Sequence, residues 1–519
     1  MQKLINKQNI FIATILLVVL QPILDLDYLI YPFLDKYGLP RISTVINYVI
    51  IPIMVLLVFK FYTQDKKKTF ILWGSYGIIL AIYFYIHNHN SIAIFDKLIL
   101  PSNYYYNAFQ ELSYFVTMII PLVYIWMMSE IKISSQIVKK ITLWLSGLTA
   151  IPIFLGDVFV FGKSTYSGYT SASIFTWFSG IYEEYLPRTM ASKFFFSEGN
   201  TIGILMMMLL PLLYYYFYQE KNKKAKISLF VLIVIHSLAM IMLGTRVGTY
   251  GSFLVPIVVL IVYLFLIIIK KEQFQKVFIA SLIVIGAVAA LIFPYSPARQ
   301  NQLIDSANDY LTLQDNYILE QNKDGVDNGE QLVPGSFEYN QFYIYYFVDN
   351  CFLINATPKE YYEEYYYYQF DPKFWVDYIF NYSFEERVNG RQTEMIFFQY
   401  KWQNLSNFEK LWGFSYSTFM NGSIVLEKDF VQQFFTFGYV GFTIMVLPWL
   451  VMLAYLVFKV LSSPKRYWNF ETIMIMFSIC IGVLTGYISG HVLDQFITSL
   501  FMATLFAAMF LKVKKAHEE

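Results

Sequence analysis

Long apolar runs separated by short polar stretches dominate this chain. Twelve runs are long enough to cross a bilayer: residues 9–25, 43–62, 69–87, 109–129, 141–160, 200–218, 227–244, 247–269, 277–294, 430–458, 471–490 and 493–511. A hydrocarbon core of about 30 Å takes about 20 helical residues. The run from Ser252 to Ile269 carries no charged side chain. The run 430–458 is longer than a bilayer needs, which predicts tilt or a start outside the hydrocarbon. The first run, Ile10 to Leu24, is not followed by a small-residue cleavage site and reads as a spanning helix, not a removed signal. Composition agrees: 57% of residues are hydrophobic and only 14% charged, against about 25% charged in a soluble domain. The pattern predicts an all-α polytopic membrane protein.

Charge next sets the orientation. Lysines recur in every second short loop: Lys66 to Lys68, Lys139 and Lys140, Lys221 to Lys226, Lys270 and Lys271, Lys465 with Arg466, and Lys512 to Lys515. By the positive-inside rule these loops are cytoplasmic, as are both termini. The long segments 88–108, 161–199 and 295–429 then face outward. The division expected is 1–294 with nine helices, 295–429 as a large extracellular loop, and 430–519 with three helices. The large loop is acidic and rich in Tyr, Phe and Trp, as in EYYEEYYYYQFDPKFWVDYIFNY. Its aromatic content argues against disorder and predicts an ordered, mainly helical cap. Tyr361, Tyr362, Trp375 and Tyr378 either build that cap or stack on sugars. The net charge of +1 gives no basic footprint for nucleic acid. Cys480 falls within a span and Cys351 in the large loop, so no disulfide between them is expected.

The seven arginines are distributed unlike the lysines. Arg41, Arg188, Arg246, Arg299, Arg387 and Arg391 fall on the outer side, and Arg466 alone inside. Arginine presents a planar fork that grips carboxylate or phosphate through two parallel hydrogen bonds. Outer arginines therefore suit a diphosphate, or alternatively scattered surface ion pairs. Arg246 sits in the short turn LGTRVG between two spans, where its head either snorkels to the lipid headgroups or meets substrate phosphate at that depth. Two outer carboxylate pairs accompany them, Asp25 with Asp27 and Glu427 with Asp429. Glu427 and Asp429 open a helix, where negative charge is favoured, or supply a general base. His87 and His89 lie on an outer loop with no further ligand nearby and read as surface residues; no metal or cofactor is expected.

Four stretches together resemble the O-antigen ligase and O-antigen polymerase superfamily. FFFSEGNTIGILMMMLLP resembles its asparagine-containing helix start, with Asn200 at the second asparagine. LGTRVGTYGSF resembles its serine–arginine turn, with Thr245 in place of the serine. NGRQTEM followed by LWGFSYSTF resembles its large-loop stretch, with Asn389 and Gly390 before Arg391. VLEKDFVQQFFTFGYVGF resembles the segment that carries the family's histidine base; here Glu427 stands near that place, counting back from Gly438. That glutamate, together with the opening QPILDLDYLIYPFLDKYGLPR with Asp25 and Arg41, resembles a Gram-positive-type branch.

The resemblance implies a GT-C-like architecture in the cytoplasmic membrane of a bacterium, with an extracellular active site. It implies an inverting, metal-independent glycosyltransferase whose donor is an undecaprenyl-diphosphate-linked glycan. Arg246, Arg391 and Arg188 would bind the diphosphate, and Glu427 or Asp429 would be the base, with Asn200, Asp25 and Arg41 as further candidates. The expected reaction is polymerisation of repeat units into capsule or exopolysaccharide. Ligation of the finished glycan to another envelope acceptor is the alternative. A flippase or other transporter is the rival from another class, but it would keep charges at mid-membrane depth, where these spans have almost none. A purely structural or anchoring role would leave the outer arginines unexplained.

Overall fold

The computed structural model describes residues 6–518 except 38, 40, 167, 184–186, 307–325, 328–329, 332, 334–335, 340–359, 384–385 and 388–389. The chain is an all-α multi-pass membrane fold. Eleven helices are long and apolar enough to cross a membrane, and the bent pair Lys7–Val19 and Gln21–Leu29 makes up to twelve. That pair turns by 51°. Pro22 stands at the start of its second helix, where a residue without an N–H cannot continue the preceding ladder. The described residues contain one strand pair, Val326–Asp327 with Glu330–Gln331.

Two compact units divide the chain. The first comprises Met1–Tyr76, Phe115–Asn301 and Leu447–Glu519. Its centre is the helix Gly199–Gln219, buried along nearly its whole length and packed by Ser135–Val158, Lys223–Met242, Arg246–Ile268 and Phe470–Ser489. Gly203 explains one close approach: a Cβ there would lie 2.7 Å from Thr245 Oγ1. Two lysines on helices of this unit are tied to glutamates: Lys139 to Glu220 at 3.0 Å and Lys512 to Glu471 at 2.6 Å. Glu272 accepts from the Phe470 N–H at 3.0 Å.

The second unit comprises Gly77–Tyr114 and Gln302–Val446. Its core is largely aromatic, including Tyr366, Phe374, Trp375, Tyr378, Phe397, Phe414 and Phe435. Burying one such ring removes enough apolar area to contribute roughly 1.5–3 kcal/mol. Tyr362, Trp375 and Tyr378 are thus core residues, which answers the choice left open for them. Lys401 is fully buried here, its ammonium bonded to the Ile99 carbonyl at 3.0 Å and to the Tyr366 hydroxyl at 2.6 Å. Burial pushes that amine down to about 8.

One expectation fails in this unit. His87 is neither on a loop nor at the surface: it is 1% exposed, inside the helix Lys66–Ala93. Its Nε2 lies 2.9 Å from Glu111 Oε1 and its Nδ1 2.7 Å from the Trp412 carbonyl. The helix runs past residue 87 because these polar groups find partners. Asn90 likewise donates to the Gly413 carbonyl at 3.1 Å. His89 is exposed, as expected, but it too lies in this helix and not on a loop.

The span Asp429–Ser462 is interrupted at Gly438, whose φ of 62° and ψ of −172° lie outside the helix. A Cβ on Gly438 would lie 2.5 Å from the Gly413 nitrogen, and one on Gly413 2.4 Å from the Gly438 nitrogen. Two backbones meet there because neither residue has a side chain. The interruption accounts for the unusual length of the run.

Candidate functional site

The candidate residues fall into both units. In the first, they gather around the segment 161–198. The helix Lys223–Met242 ends with carbonyls that need donors. Ser192 N–H serves Met242 at 2.8 Å, Thr165 Oγ1 serves Leu243 at 2.5 Å, and the Tyr166 hydroxyl serves Gly244 at 2.8 Å. Gly244 turns the chain at a φ of 70°. Thr245 then caps the next helix, its Oγ1 accepting from the Gly248 N–H at 3.1 Å. Arg246 is the first residue of that helix and is exposed. Arg188, also exposed, lies in the short turn Pro187–Met190. Ala191, just beyond it, abuts Gly244, where a Cβ would come within 2.4 Å of the Ala191 Cβ. The segments carrying Arg188 and Arg246 therefore pack against each other.

Asp25 braces the start of the helix Gly199–Gln219. Its carboxylate accepts from the Ser197 N–H at 2.8 Å and the Ser197 hydroxyl at 2.5 Å. Asn200 is half-buried in the first turn of that helix. Glu198, before it, accepts from Thr201 Oγ1 at 2.9 Å and lies 3.7 Å from His491 Nδ1. Lys193 donates to the Ser197 carbonyl at 2.7 Å; burial and the neighbouring Lys163 lower its pKa. Arg41 reaches Asp27 through Nε at 2.8 Å and Nη2 at 2.5 Å, while Ser43 N–H holds the other oxygen at 2.7 Å. Asp25 and Arg41 line a cleft of ≈ 180 Å³ with Asn47, Tyr48 and Gln495.

In the second unit the fold brings Arg391 and Glu427 together, 36 positions apart in the chain. Arg391 Nε lies 2.9 Å and Nη2 2.8 Å from Glu427 Oε2. The two side chains are 31% and 43% exposed, so both are reachable. Glu394, one turn along the same helix Gly390–Gln403, stands behind the pair. Its Oε2 accepts from the Glu427 N–H at 3.2 Å and its Oε1 from the Tyr361 hydroxyl at 2.9 Å. Burial first, and the Glu427 charge second, push the Glu394 carboxyl up to about 7. Asp429, two residues from Glu427, is 1% exposed at the first position of its helix. Sequence reading missed Glu394. The available clue was its spacing of three from Arg391, which places both on one helical face.

The arginines expected on the outer side do not share one environment. Arg387 is fully buried, its Nη1 donating to the Ile379 carbonyl at 2.5 Å. Arg41 is engaged by Asp27. Among the described residues, no three His, Cys, Asp or Glu side chains are grouped as metal ligands. Cys351 and Asn389 lie outside the described residues, and Cys480 is half-buried in the helix Phe470–Ser489.

Compared with known families, residues 7–516 match the one described as O-antigen ligase like membrane protein. Comparison with curated proteins and with solved structures finds no match.

Proposed function

Starting from the fact that this chain belongs to the O-antigen ligase-like membrane protein family, we propose that it is a polymerase building capsule or exopolysaccharide on the outer face of a bacterial cytoplasmic membrane. The donor is a repeat unit or growing chain on undecaprenyl diphosphate, and the acceptor is another lipid-linked repeat. The observation that carries the reading is the Arg391–Glu427 pair backed by the buried Glu394. A reachable carboxylate and a reachable guanidinium side by side can serve the two partners of a glycosyl transfer.

Glu427 takes the proton from the acceptor hydroxyl as its oxygen attacks the anomeric carbon. The bond from that carbon to the diphosphate oxygen breaks, and undecaprenyl diphosphate leaves with the electron pair. One displacement inverts the anomeric centre. Arg391 stabilises the charge that grows on the leaving diphosphate. Arg246 and Arg188, both exposed, are assigned phosphate contacts as well. Burial of Asp429 favours Glu427 as the base, and a base contributes typically 10²- to 10⁴-fold. Orientation rests on the alternation of lysine-rich loops.

Glycan length is the test, read by gel in cells lacking the gene and complemented with wild type, Glu427→Gln, Arg391→Ala or Arg246→Lys. The expected result is loss of long chains with single lipid-linked repeats accumulating. Arg246→Lys keeps the charge but removes the fork, and is expected to fail as well. Long chains made but left on the lipid would point to ligation instead. Normal chains with well-expressed variants would reject these roles and reopen the transporter reading.

A further inference from the structure

We propose that the second unit carries a saccharide-binding groove between the helices Pro372–Asn381 and Gly390–Gln403, separate from the Arg391–Glu427 pair, that holds the glycan chain by its sugars. This rests on the reading of the protein as a glycan-transferring enzyme. The groove encloses ≈ 190 Å³, less than the ≈ 300–1,000 Å³ of clefts for drug-sized ligands. It suits one or two sugar rings of a longer chain, not a whole repeat unit.

Each wall follows the same rule. On the first helix, Phe374, Asp377, Tyr378 and Asn381 fall at positions i, i+3, i+4 and i+7; on the second, Ile396, Gln399, Tyr400 and Gln403 do the same. That spacing puts the four on one side of each helix, where buried Phe374, Tyr378 and Ile396 adjoin exposed positions. Here two of the four positions on each helix are polar. Asp377, Asn381, Gln399 and Gln403 are all exposed, and none has a hydrogen-bond partner among the described residues. Asp377 presents a carboxylate that accepts, and the three amides both accept and donate. Phe374 and Tyr378 belong to the core and close the groove from beneath, their rings stacked with centroids 6.0 Å apart and buried, so they offer no face to a ligand. Tyr382 and Tyr400 are half-buried at the sides of the groove, and the Tyr400 hydroxyl is fixed by Asp371 at 3.1 Å.

Rigid half-exposed tyrosines with flanking amides match a pyranose, which has apolar C–H faces and a rim of hydroxyls that donate and accept. Among the described residues, Asp377 is the only charged side chain lining the groove.

The probe is the cell-surface polysaccharide that disappears when the gene is deleted, cleaved to short fragments. Full-length protein in nanodiscs is titrated with these fragments by calorimetry, as wild type, as Gln399→Ala/Gln403→Ala, and as Asn381→Trp, which fills the groove. All three sites are exposed, and membrane levels of each variant check folding. Both variants are expected to bind at least tenfold more weakly than wild type and to make shorter chains in cells. Equal binding by wild type and both variants, or no binding by wild type, would overturn the groove. In either case loss of polymer in Glu427→Gln would leave the transferase reading standing. If no polysaccharide disappears on deletion, that reading falls, and the groove with it.

Discussion

At the scale of single residues, the site turns on how burial treats neighbouring carboxylates. Glu427 faces Arg391 and is reachable, whereas Glu394 is withdrawn behind it with its carboxyl raised to about 7. A carboxyl raised on folding stabilises the fold in its protonated form. That contribution is complete below the ordinary pKa of 4.5 and is lost as pH rises to about 7. Glu394→Gln has no such dependence. The melting temperature of wild type relative to Glu394→Gln is therefore expected to fall between about pH 4.5 and 7 and to level off above, measured by thermal shift on purified protein. A difference independent of pH would contradict the assignment. The sequence points to Glu427 through its distance from Gly438. It does not point to Glu394, because what sets that residue apart is a tertiary contact with a loop 33 positions away.

At the scale of elements, the spans were legible because hydropathy and length alone decide which helices can cross a bilayer. The departures are local and polar. His87 and Asn90 remain helical because Glu111 and the carbonyls of Trp412 and Gly413 satisfy them, partners that no local pattern reveals. The long run 430–458 is split at Gly438, where the chain must pass against Gly413. Gly438→Ala is expected to be strongly destabilising. The backbone conformation alone costs a residue with a side chain about 1–3 kcal/mol, and the added methyl would clash with the Gly413 nitrogen and the carbonyls of Lys410 and Leu411. Gly77→Ala, where a Cβ meets nothing within 4 Å, is expected to be neutral or slightly stabilising, since alanine is the better helix former. Thermal shift of the two variants side by side reads the contrast; equal melting temperatures would refute the close approach.

At the scale of the whole molecule, membership of the ligase-like family and the multi-pass helical fold were both legible in the sequence, in apolar periodicity and in four short stretches spread over the chain. The shared role expected of the outer arginines was not. Arg387 is buried in the core of its unit, Arg41 is paired with Asp27 and Arg391 with Glu427, while Arg188 and Arg246 are exposed, so these arginines stand in different environments. The central claim is that Glu427 accepts the proton in a glycosyl transfer from a lipid diphosphate. The most direct test uses purified protein in nanodiscs with an undecaprenyl-diphosphate-linked oligosaccharide, following elongation of the glycan together with release of undecaprenyl diphosphate. The account predicts elongation by wild type and a rate at least a hundredfold lower for Glu427→Gln, within the range of a lost general base. Elongation by Glu427→Gln at the wild-type rate would contradict it.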